Sequence, residues 1–156
     1  MAEDLTIRKA KIEDIKDVTL LDSRITGLDK PTYWRDMFAR YGERENRFFL
    51  VATDLNAKLD GFIIGEVRAW EFGSPPSGWV FAIGVDPDTR LHKVGTRMFD
   101  AMVNCLRDAG VDTVRTMLAR DDELNMSFFR SQGMMAGPFI QLEMPITEPA
   151  SQGENQ

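Results

Sequence analysis

The residues best placed to do chemistry in this chain fall between positions 85 and 96, in the run Val85-Asp-Pro-Asp-Thr-Arg-Leu-His-Lys-Val-Gly-Thr96. Nearly continuous apolar sequence from Trp79 leads into it, and a helical pattern leaves it at Val94. A strand that turns directly into a helix aims the free N–H groups of the first helical turn, with the positive end of the dipole, beyond the strand end. Arg90, His92 and Lys93 add cationic side chains at that spot, and Gly95 allows close approach of the backbone. Such a unit holds an anion, for which the pyrophosphate of a coenzyme is a natural candidate. The same residues would also make an ordinary strand-to-helix turn with solvated charges, and residue types alone do not choose between the two.

Other reactive groups are few. His92 is the one histidine, and beside phosphates it reads as a neighbour of the anion or a surface residue. Cys105, the one cysteine, lies among Met102, Val103 and Leu106 with no histidine after it, so a buried hydrophobe is expected and not a nucleophile. No Cys, His or acidic cluster has metal-ligand spacing, and no metal is expected. Glu66 follows Phe62-Ile-Ile-Gly65 on an apolar strand, where a carboxylate faces either a cleft, as a general base would, or solvent. Glu71 is the second candidate. A formal net charge of −6 argues against nucleic acid and favours cationic partners such as amines.

The elements that must position these residues follow from periodicity. Residues 5–8 alternate as a short strand, and Ile12, Ile15, Val18 and Leu21 mark one face of a helix. Pro31 opens a second helix carrying Tyr33, Trp34, Met37, Phe38 and Tyr41. Strands are expected over 48–53, 59–70 and 79–85, with a Pro- and Gly-rich loop over 72–78. The helix after the turn shows apolar positions at Val94, Met98, Ala101, Met102 and Cys105 and stops at Gly110. A strand over 111–119, a helix over 123–132 and a last strand over 139–144 complete the chain. One α/β domain over residues 1–147 is expected, with 148–156 a disordered tail. The start lacks the features of a signal peptide and no run approaches the roughly 18 apolar residues of a membrane span, so a cytoplasmic protein without membrane contact is expected.

Val85-x-Pro87-x-x-Arg90-x-x-x-Val94-Gly95-Thr96 resembles the acetyl-CoA motif of the GNAT-type N-acetyltransferases, in which a strand ends in Val-x-Pro and Arg/Gln-x-x-Gly-x-Gly/Ala opens a helix. Residues 122–134, with Phe128-Phe129-Arg-Ser-Gln-Gly133-Met134, resemble that family's second landmark, Asn…Phe-Tyr-x-x-x-Gly-Phe. The resemblance spans about residues 5 to 145 and departs at Leu91 and Lys93 (Gly in the family), Asp122 (Asn) and Phe129 (Tyr). It implies the acyl-CoA N-acyltransferase fold, an α/β (α+β) domain with a mixed, mostly antiparallel central sheet flanked by helices. It implies acetyl-CoA as co-substrate, with Ile83, Gly84 and Val85 pairing with pantetheine. The amides of Leu91, His92, Lys93, Val94, Gly95 and Thr96 would hold the pyrophosphate, with Arg90 beside them and Asp122 and Phe129 near the cofactor arm. The Val85 N–H would be the oxyanion donor and Glu66 the general base. The implied reaction is direct acetyl transfer to an amine of a small molecule or protein, in a cleft lined by Tyr33, Trp34, Phe38 and the 72–78 loop. The alternative is a CoA-binding module without catalysis. Homodimers are frequent in the family, and the C-terminal strands are the expected interface.

Overall fold

A computed structural model describes residues 4–149, without the side chains of residues 90–92. A five-stranded sheet runs in the order β1 (Thr6–Lys9), β2 (Arg47–Thr53), β3 (Leu59–Arg68), β4 (Ser77–Val85), β5 (Val114–Arg115). Pairing is antiparallel through β4, and β5 joins β4 in parallel. The sheet is mixed and mostly antiparallel, as expected.

Helices cover both faces because β2 and β3 are apolar on both. On one face α1 (Ile15–Thr26) and α2 (Pro31–Tyr41) bury Ile15, Val18, Leu21, Trp34 and Phe38 against Phe49, Phe62 and Ile64. On the other, α3 (Val94–Asp108) and α4 (Glu123–Ser131) bury Met98, Phe99, Met102, Leu106 and Phe129 against Leu50, Ala52, Ile63 and Val80. Three bare positions let α3 lie close. A Cβ on Gly61 would meet Met98 Cε at 2.7 Å, one on Gly65 Met102 Sδ at 2.9 Å and one on Gly78 Leu106 Cδ1 at 2.6 Å. Real carbon atoms do not approach so closely in packed interiors.

Two expected strands differ. The strand over 111–119 shrinks to Val114–Arg115, which pair only with Gly78 and Trp79 of β4. The register of β3 against β4 explains this: Gly65 faces Val80 and Ile64 faces Ala82, so Phe81 is an extra residue. A bulge of this kind bends its strand and ends regular pairing. Beyond it, among the described residues, the Thr116 hydroxyl still reaches β4, donating to the Val80 carbonyl at 2.7 Å. The strand expected over 139–144 does not form, because the two-residue β5 offers no edge for it to complete. Ile140, Leu142, Met144 and Ile146 are instead 80–95% exposed. The expected disordered tail falls largely on residues 150–156, outside the described residues.

Candidate functional site

The turn after β4 is built around one buried carboxylate. Asp86 is fully buried. It caps the 3-10 turn Pro87–His92 by accepting the Asp88 N–H at 3.0 Å. Arg24 of α1 approaches it with both terminal nitrogens at 3.2 Å, and Lys58 Nζ lies 3.2 Å away. Burial pushes its pKa up, but the Asp88 N–H, Arg24 and Lys58 outweigh burial and hold it below the ordinary carboxylate value. Lys58 is held above its ordinary value by the same pair. Thr89 Oγ1 donates to the Asp86 carbonyl at 2.9 Å. Among the described residues the turn is therefore fixed by bonds to α1 and to the 54–60 segment.

Lys93 leads from this turn into α3 with φ +55° and ψ +33°. That left-handed conformation suits glycine, the usual family residue there, and costs an L side chain roughly 1–2 kcal/mol. Lys93 is exposed and caps α3 without a side-chain bond. The first intrahelical partner of its carbonyl is the Arg97 N–H at 3.1 Å, so the amides of Val94, Gly95 and Thr96 have no acceptor within the helix. The Thr96 hydroxyl accepts from Gln132 Nε2 at 3.0 Å. The side chains of Arg90, Leu91 and His92 lie outside the described residues.

Gly95 also has a packing role. A Cβ there would sit 3.1 Å from Phe128 Cε2 and 3.5 Å from Val85 Cγ2. Its bare face seats α4 on the start of α3.

A cleft opens where β4 and β5 part. The Asp86 N–H bonds the Asp60 carbonyl at 2.8 Å, turning that residue toward β3. Strand alternation then turns the N–H and C=O of Ile83 and Val85 the other way, toward the gap, while those of Gly84 face β3. Gly84 contributes differently: a Cβ on it would lie 2.5 Å from Phe62 Cε1, so its absence lets the Phe62 ring lie across the strand. The cleft, of about 260 Å³, is lined by Val80 to Ile83 on one side and by Thr116 to Leu118 with Asp122, Asn125 and Phe129 on the other. Tyr33, Trp34, Lys30 and Asp22 close one end. Asp122 caps α4, accepting the Asn125 N–H at 3.2 Å and Asn125 Nδ2 at 2.8 Å. Phe129 is 5% exposed and packs edge-on against Phe99 and Phe128.

Several expected site residues are not brought together. Glu66 does not line the cleft. Its oxygens are engaged by Arg68 Nε at 3.0 Å and Arg47 Nε at 3.7 Å. Glu71 is exposed on a separate turn. Phe38 is buried against Phe49 behind the cleft, and the 72–78 loop does not reach it. Cys105 is half-buried, and its thiol is raised by burial and by Asp108, which disfavours a thiolate. Among the described residues no cluster of three or more His, Cys, Asp or Glu groups is placed for a metal ion, and no helix is long and apolar enough to cross a membrane. Asp22, Lys30 and Asp86 were not foreseen. The available signal for Asp22 was a carboxylate seven residues after Ile15, on the apolar face of its helix.

Comparison with known proteins gives the same architecture. An aminoglycoside 6'-N-acetyltransferase from Acinetobacter baumannii is 13% identical and superposes with a TM-score of 0.77 over 92% of this chain and 99% of that one. An aminoglycoside N-acetyltransferase crystallised with CoA is 12% identical, with a TM-score of 0.80 over 90% of this chain and 94% of that one. A transcriptional regulator from Bacillus halodurans is 13% identical, with a TM-score of 0.77 over 91% and 99%. Against curated protein sequences the chain has no significant match. The model of the acetyltransferase (GNAT) family matches residues 15–134, from the first turn of α1 to the residue after Gly133. That match takes in the anchored turn, the parted strands and the α3–α4 pair, and the chain belongs to the GNAT acetyltransferase family.

Proposed function

We propose that this protein moves the acetyl group of acetyl-CoA directly to an amine, with the thioester in the cleft between β4 and β5. The observation that carries this is the parting of the two strands at Phe81. Among the described residues it leaves the backbone groups of Ile83 and Val85 without a strand partner, Ile83 on the cleft and Val85 one short turn before the start of α3. An extended pantetheine arm supplies the missing strand edge, and the Val94, Gly95 and Thr96 amides take the pyrophosphate with the Lys93 ammonium alongside. The amine nitrogen attacks the acetyl carbonyl, the C–S bond breaks, and the Val85 N–H is the candidate donor to the developing oxyanion. Phe129 cannot supply the proton that a tyrosine would, so the departing thiolate takes its proton from the amine or from solvent. Calorimetry with acetyl-CoA and release of free thiol across an amine panel test the reading. Binding without thiol release would leave a CoA-binding module, the reading that Phe129 favours.

A homodimer also belongs to this proposal. Ile140, Leu142, Met144 and Ile146 alternate along a C-terminal arm whose inner anchor is Phe139, under Arg115 at 4.8 Å and beside Phe72 at 6.4 Å. A second copy of the same arm would cover this apolar edge.

A further inference from the structure

The cleft contains two carboxylates, and only one has an oxygen to spare. Both oxygens of Asp122 are committed to Asn125 at the start of α4. Asp22 is 6% exposed, and its Oδ2 takes both the Trp34 indole N–H at 3.0 Å and the Lys30 ammonium at 3.1 Å. No hydrogen bond reaches Asp22 Oδ1 from the described residues. Lys30 Nζ also lies 5.2 Å from the centre of the Tyr33 ring. An alkylammonium is thus held between a buried carboxylate and an aromatic face at the end of the cleft, and the chain's own lysine provides it. Lys30 precedes α2, and its side chain is 35% exposed, so another ammonium can take its place without unpacking the core.

We propose that Asp22 anchors a protonated amino group of the acceptor, that Lys30 fills this place until the acceptor arrives, and that the acceptor is an aliphatic di- or polyamine. The inference rests on the acetyl-transfer reading above. The number of amino groups follows from the chemistry. A nitrogen that attacks a thioester must carry a free lone pair, whereas Asp22, already sharing its charge with a lysine and an indole, is a partner for an ammonium. One amino group of the acceptor stays protonated on Asp22. A second, neutral one forms the N–C bond as the C–S bond breaks. The thiolate leaves with the electron pair, and the proton shed by the new amide passes to it or to solvent. The Tyr33 and Trp34 rings flank the methylene stem.

The test compares 1,5-diaminopentane with pentylamine by thiol release. Wild type is expected to favour the diamine at least about tenfold in kcat/KM, the factor for one charge-assisted hydrogen bond. Asp22→Asn keeps an acceptor for Trp34 and is expected to erase that preference. Lys30→Met removes the resident ammonium and is expected to lower the diamine KM severalfold. Equal use of both amines by wild type, or a preference that survives Asp22→Asn, would overturn the proposal while acetyl transfer stands. Should Asp22→Asn fail to fold, Lys30→Met decides, an unchanged or raised diamine KM counting against. If no amine releases thiol, acetyl transfer itself fails, and calorimetry with 1,5-diaminopentane then decides the site. Binding to wild type that Lys30→Met strengthens supports the ammonium site, and no binding removes it.

Discussion

Replacing Asp86 by alanine should loosen the turn on which the proposed coenzyme site rests. The side chain makes three kinds of contact, and each can be sized. Its cap on the Asp88 N–H, at 3.0 Å, is of the class worth about 1 kcal/mol. The pairs with Arg24 and Lys58 are short, but those cations are 50% and 54% exposed, so each is worth only about 0.2–1 kcal/mol. Removing a buried charge returns part of its desolvation cost, so the net loss is about 2 kcal/mol, or roughly 4–8 °C in Tm for a chain of this size. Asp86→Asn keeps an oxygen for the cap and forfeits the pairs, so it should lose about half as much. The pH dependence carries a sign. Because the folded-state pKa of Asp86 is depressed, its contribution is complete above the ordinary carboxylate value of about 4 and is lost as pH falls below that through the folded pKa. The Tm gap between wild type and Asp86→Asn should therefore narrow as pH is lowered from about 6 to about 3. Asp14, depressed by its Arg8 pair, is present in both proteins and cancels in the difference. Thermal melts at a series of pH values would read this directly. An alanine variant melting within 1 °C of wild type, or a gap that widens in acid, would refute the reasoning.

Four further variants follow from the same geometry. Lys93→Gly should raise stability slightly, by at most about 1 kcal/mol, read as a small rise in Tm. The left-handed strain it relieves, roughly 1–2 kcal/mol, is partly offset by the freer unfolded chain. The same variant should weaken CoA binding more at low salt than at high salt, as loss of an exposed cation beside phosphates requires, and calorimetry at two ionic strengths measures it. Gly95→Ala should cost about 1–3 kcal/mol by pressing a methyl on Phe128, detected by denaturant unfolding with and without CoA. Glu66→Gln should leave kcat/KM and its pH profile at wild-type values, since Arg68 and Arg47 hold the carboxylate away from the cleft. A loss of acid-side pH dependence would return Glu66 to the base role. Leu142→Asp should shift a dimer to monomer in light scattering without lowering the monomer's own stability, because that side chain is 88% exposed within one copy.

What was legible in the sequence was whatever repeats. Ile15, Val18 and Leu21 gave α1 its buried face, and Val94, Met98 and Met102 did the same for α3, because helix periodicity is a local property. The run from Trp79 to Val85 read as a strand covered on both faces, and it is one. The two strand errors have a common physical origin. The residues at 116–119 and 139–144 are apolar enough to pair, but pairing depends on an edge, and the edge of β4 is interrupted at the Phe81 bulge. No local pattern announces that bulge. Gly95 shows a similar limit: the sequence shows that a side chain is missing, but only packing shows that Phe128 lies against the space.

The same asymmetry applies to the carboxylates. Glu66 attracted notice because a charge interrupts an apolar strand, yet two arginines from neighbouring positions neutralise it where it stands. Asp22 drew no notice because a single acid within an amphipathic helix looks like its polar margin. In the fold that margin is turned inward, since α1 must also bring Arg24, two residues on, to the buried Asp86. The Arg24 contact that helps fix the turn after β4 thus also adds to the packing that orients α1, and with it the approach of Asp22 to Trp34 and Lys30 at the end of the cleft. On this view, weakening Asp86 should disturb more than the proposed pyrophosphate site. Asp86→Asn should raise the KM for the acceptor amine together with the Kd for CoA, whereas Lys93→Gly should change only the latter. Identical acceptor KM values in wild type and Asp86→Asn would show that α1 is positioned by its packing alone and that the two ends of the cleft are independent.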